Sequence, residues 1–136
     1  MDVHLRCGMV LPLLGSATGK VFAAFSPPEL TQPYLDAEIA AAQHSETATF
    51  TSRAAVDAHL AEVRERCLGV IDSANLTNIN ERGVNGFSAP VFDATGAIVL
   101  ALTMMGDAEQ LKVDDPALAR LADAARRLSA RLGFKP

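Results

Sequence analysis

A chain of 136 residues, 49% apolar and 21% charged, can bury one core without a disulfide frame or a structural metal. Twelve Lys and Arg against 16 Asp and Glu leave a net charge of −4, which argues against DNA binding by this chain alone. No apolar run reaches the roughly 20 residues of a membrane span, no signal-peptide pattern opens the chain, and Cys7 and Cys67 lack metal or redox spacing. The expectation is a cytoplasmic single domain without cofactor or metal.

Val3, Leu5 and Cys7 alternate with polar neighbours and predict a strand over residues 1–7, broken by Gly8 and Pro12. Ser16 caps a predicted helix over residues 17–25, stopped by Pro27 and Pro28. Gly19 inside it costs about 1 kcal/mol relative to alanine, so a neighbouring backbone should pass close by. Pro28 and Pro33 predict two short helices, over residues 28–31 and 33–42, followed by a polar loop over 44–50. Ser52 then caps a helix with the apolar stripe Val56, Leu60, Val63 and Cys67, ended by Gly69. That stripe makes Cys67 a core residue, and Cys7 is read as structural too.

A short strand at residues 70–72 and an Asn-rich loop over 73–82 lead to two apolar runs, 84–92 and 97–105. Asp93-Ala94-Thr95-Gly96 joins them as a hairpin, with Asp93 opening a type I turn and Gly96 in the left-handed position. Asp115-Pro116 opens a last helix whose stripe is Leu118, Leu121, Ala125, Leu128 and Leu132. This order of elements points to an α+β fold, an antiparallel sheet with helices packed on it. Lys20, one turn into its helix, reads as a solvated or snorkelling side chain. His4, His44 and His59 never reach ligand spacing.

The segment Leu11-Pro12-Leu13-Leu14-Gly15-Ser16-Ala17-Thr18-Gly19-Lys20, with the apolar run after it, resembles a signature of the IclR family of bacterial transcription regulators. A second match runs from Gly83-Val84-Asn85-Gly86-Phe87-Ser88-Ala89-Pro90 through Asp93 to Gly96 and Gly106. Both belong to that family's effector-binding domain, so the resemblance implies a GAF-like antiparallel sheet flanked by helices, with a small-molecule pocket on one sheet face. It further implies one effector-binding domain over residues 1–136, truncated at its N terminus and separated from a winged helix-turn-helix domain through which DNA would be bound. Dimers or tetramers are the implied assemblies, and an organic acid the implied effector class.

Carried over position by position, the implied effector-binding residues are Leu11, Ala17, Thr18, Ser73, Asn75, Val84, Gly86, Thr103 and Met105. Ala17 and Thr18 fall in a first helical turn, where exposed N–H groups and the helix dipole favour a carboxylate. Met105 stands where the family usually carries a small polar residue, which points to a less polar effector. No catalytic grouping of nucleophile, base and acid is present. The rival readings are a thiol-dependent reductase of free methionine sulfoxide on the same fold, and an oligomerisation domain with a vestigial pocket. The reductase would need a reactive thiolate, and neither cysteine has the sequence surroundings of one.

Overall fold

The computed structural model describes residues 6–45, 50–72 and 83–136. In chain order these form α1 (Ala17–Phe25), α2 (Pro28–Ala42), α3 (Arg53–Arg66), β1 (Gly69–Ile71), β2 (Val84–Phe92), β3 (Ile98–Asp107) and α4 (Ala117–Arg131). The strands make one antiparallel sheet in the order β1-β2-β3, with α1 on one face and α4 on the other.

Helix α1 starts where the sequence places it: the Ser16 hydroxyl accepts from the Gly19 N–H at 2.9 Å and donates to the Pro12 carbonyl at 2.7 Å. Gly19 has the neighbour its conformational cost implies, since a Cβ there would lie 2.6 Å from Leu13 Cα and 2.7 Å from Leu13 O. Glu38 of α2 fixes the same approach from outside by accepting from the N–H groups of Leu13 and Leu14, each at 3.0 Å. At the other end of α1, Arg64 of α3 donates to the Ala24 carbonyl at 3.2 Å. Between these ties Val21 and Ala24 pack with Leu35, Val56, Leu60 and Val63. The opposite sheet face buries Ala89 and Val91 against Ala125, with Leu102, Leu121 and Leu128 around them. Ser129 of α4 accepts from the Phe92 N–H at 3.0 Å, which joins helix to sheet.

The hairpin forms as expected, with Gly96 at φ +81°, the Asp93 N–H donating to the Ala97 carbonyl and the Asp93 carbonyl accepting from the Gly96 N–H. Four expectations need correction. Helix α2 is continuous through Pro33, because the only backbone bond that proline removes is the one to the Glu29 carbonyl, in the first turn. Helix α3 ends earlier than Gly69: Cys67 turns left-handed at φ 51°, so its side chain leaves the stripe and is exposed, and Gly69 begins β1 instead. Cys7 is exposed in a turn, with Met9 N–H donating to the Arg6 carbonyl, so no strand reaches it; residues 1–5 lie outside the described residues. Leu132, assigned to the last apolar stripe, is 40% exposed.

Lys20 is the fifth departure, and it is buried at 7% exposure instead of solvated. Its Nζ donates to the Val70 carbonyl at 2.9 Å and lies 5.6 Å from the centre of the Phe50 ring. Loss of hydration lowers its pKa from 10.5 to about 8, against an opposing pull from Glu62. The adjacent His59 is pushed down as well, first by burial and then by the Lys20 charge, and its Nε2 is buried without a hydrogen bond among the described residues.

Two outcomes follow from this packing. Because a left-handed cysteine carries a backbone strain that glycine avoids, Cys67→Gly should stabilise the fold by about 1 kcal/mol in urea unfolding, while Cys67→Ala changes it by less than about 0.5 kcal/mol. A larger loss for alanine would mean that the thiol is packed. For Lys20, the unfolded state holds its proton up to about pH 10.5 whereas the folded state releases it near pH 8, so between these values the unfolded state binds more protons. The stability difference between the wild type and Lys20→Met should therefore shift in favour of the wild type by roughly 3 kcal/mol as pH rises through that window. A pH-independent difference would show that Lys20 titrates normally.

Candidate functional site

The register of the sheet decides which side chains α1 meets. Gly86 stands opposite Ile71 on one side and Met105 on the other, and Ser88 stands opposite Gly69 and Thr103. Alternation along the strands puts Gly86, Ser88, Thr103 and Met105 on the face that carries α1. Gly69 and Gly86 keep that face shallow: a Cβ at Gly69 would run into the Ala17 carbonyl, and one at Gly86 would lie 3.7 Å from both Ala17 Cβ and Met105 Cγ. The first turn of α1 therefore rests directly on the strands.

Three hydroxyls meet beneath that turn. Thr18 Oγ1 is 2.5 Å from Thr103 Oγ1, which is 2.9 Å from Ser88 Oγ. Ser88 is fully buried and Thr103 exposed, so the chain of hydroxyls runs from the interior to the surface. The N–H groups of Ala17 and Thr18 precede the first intrahelical bonds and lie at the positive end of the helix dipole. Beside them, Met105 at 40% exposure and Ile71 supply an apolar wall. Lys20, the nearest cation in sequence, is committed to the Val70 carbonyl. The arrangement can thus take a carboxylate by backbone N–H groups and hydroxyls, with an apolar body against Met105.

Of the residues expected from sequence, Ala17, Thr18, Gly86, Thr103 and Met105 come together. Val84 is half-buried at the start of β2, opposite Asp107 and on the same face two residues before Gly86. Leu11 is 39% exposed in the segment before α1, with no described hydrogen bond to the others. Ser73 and Asn75 lie outside the described residues. Ser88 was missed, although the period of two that places Gly86 on this face places Ser88 there too. Among the described residues no group of three or more metal-ligating side chains occurs, and no helix is long and apolar enough to cross a membrane.

Comparison with known proteins bears on the family and the fold. Residues 1–130 match the model of the bacterial transcriptional regulator IclR C-terminal family. The DNA-binding transcriptional repressor YiaJ of Escherichia coli K12 is 30% identical over 129 residues, which are 93% of this chain and 44% of that protein. Among solved structures, HmgR of Pseudomonas aeruginosa has a TM-score of 0.78 at 35% identity, covering 96% of this chain and 49% of that one. The C-terminal domain of the E. coli regulator KdgR shares the fold, with a TM-score of 0.66 at 24% identity over 90% of this chain and 72% of that one. The chain spans about half the length of the first two relatives. It belongs to the IclR family of bacterial transcriptional regulators and corresponds to their C-terminal, effector-binding domain.

Proposed function

We propose that this chain senses a small organic acid with an apolar or aromatic body, and that occupancy controls DNA binding by a helix-turn-helix domain outside it. The observation that carries this reading is the chain of hydroxyls Thr18, Thr103 and Ser88 beneath the first turn of α1. Hydroxyls and N–H groups there can bind a carboxylate without a buried cation, and Met105 offers a flexible apolar contact to the rest of the ligand. The relatives act as regulators, which supports a binding module over an enzyme. Self-association to a dimer or tetramer belongs to the same reading.

A thermal-shift screen with aliphatic and aromatic carboxylates should find a stabilising ligand. Thr103→Val keeps the shape but removes the central hydroxyl, and should weaken that ligand about tenfold, equivalent to about 1.4 kcal/mol. Unchanged affinity would place the ligand elsewhere. With a net charge of −4, this chain alone should give no sequence-specific mobility shift at physiological salt. A specific shift would contradict the division of labour proposed above.

A further inference from the structure

Strand β1 has three residues, and the hydrogen bonds of β2 show how each of them is held. Ala108 N–H donates to the Gly83 carbonyl and the register pairs Val84 with Asp107, so odd-numbered residues of β2, Phe87 among them, bond to β3. The even-numbered Gly86 and Ser88 are left to bond Ile71 and Gly69. Val70, opposite Phe87, therefore turns its N–H and C=O away from β2.

The partner of that outward carbonyl is Lys20, which reaches it from α1 with Nζ at 2.9 Å. The lysine is buried, and the two titratable groups in its field, Glu62 and His59, both stand on α3. A methionine would fill the same space with no charge to desolvate, so what a lysine contributes here is the bond to β1.

That bond bears on the candidate site, because the residue next to Val70 is Ile71. A Cβ placed on Gly86 would meet Ala17 Cβ and Met105 Cγ at 3.7 Å and Ile71 Cβ at 3.8 Å, so these three apolar side chains ring the space that Gly86 leaves empty. Ala17 belongs to a helix of nine residues and Met105 to a strand of ten. Ile71 ends a strand of three, whose middle residue is held by Lys20.

We propose that Lys20 is a positioning residue for the acid site: by closing the outward carbonyl of β1 it holds Ile71 against Gly86 and Met105, and so sets the grip on the apolar body of a bound acid. The proposal rests on the effector reading above and adds to it a control on the apolar half of the site. A charge-assisted hydrogen bond is about twice as strong as a neutral one, so the grip follows the proton on Lys20. Burial brings that proton off at a pKa of about 8, against the pull of Glu62.

The test is an NMR titration of the whole chain with benzoate, read at the amides of Ala17 and Thr18. Lys20→Met should weaken benzoate about threefold at neutral pH, the wild type should lose the same factor as pH rises to about 9.5, and the variant should show no such fall. In an Ile71→Ala background Lys20→Met should add nothing, since the side chain through which it acts is gone. If the lysine variant fails to fold, the wild type still decides. By linkage, saturating benzoate should raise the pH at which Lys20 loses its proton, read from the side-chain resonances of Lys20, Lys112 and Lys135. An equal loss in both backgrounds overturns the proposal, because it reduces Lys20 to a distant charge, and so does a Lys20 titration that benzoate leaves unchanged. No saturable shifts at Ala17 and Thr18 in the wild type would instead overturn the acid-site reading, and this proposal with it.

Discussion

Helix α1 lies closer to its neighbours than side chains would allow, and the candidate site depends on that closeness. Gly19 lets the backbone of Leu13 pass against the helix, and Gly69 lets β1 pass against the Ala17 carbonyl. With a Cβ at Gly69 the helix would have to lift from the sheet, and Thr18 would leave hydrogen-bonding distance of Thr103, whereas a Cβ at Gly19 would push away the backbone of Pro12 and Leu13 that leads into α1. Glu38 and Arg64 hold the same geometry from α2 and α3, one before the start of α1 and the other at its last turn. The first turn is thus held in place by contacts on three sides, which is what a site made of short hydroxyls and N–H groups requires.

The buried Lys20 shows the same approach from the electrostatic side. Its charge is removed from water at a cost that the Val70 carbonyl and the Phe50 ring offset in part. What it secures is β1, a strand of only three residues whose Ile71 borders the candidate site. The ammonium therefore links the middle of α1 to the edge strand beside its first turn. Its hydrogen bond reaches the candidate site's surroundings through that strand.

Local chemistry made much of the fold legible from the sequence. The caps at Ser16 and Ser52, the turn at Asp93 and Gly96, and the need for a close neighbour at Gly19 depend on residues near each other in the chain, and each is found where its chemistry places it. Features that depend on distant partners were hidden. The burial of Lys20 needs Val70 and Phe50, and the meeting of Ser88 with Thr103 needs the register of the hairpin. Cys67 fits its stripe by spacing alone, and only the left-handed end of α3 removes it. Pro33 misled because its effect depends on its distance from the start of the helix. The motif positions led to Thr18, Gly86 and Thr103, while Ser88 sat in plain view within the second motif.

The central claim is that the first turn of α1 and the facing strands form one acid-binding site. An amide NMR titration with an aromatic carboxylate such as benzoate tests it most directly. The account predicts saturable shifts at the amides of Ala17, Thr18, Gly86, Ser88 and Thr103, with the α4 face of the sheet unchanged. Saturable shifts confined to other residues, or none at the solubility limit of aromatic and aliphatic carboxylates alike, would contradict it.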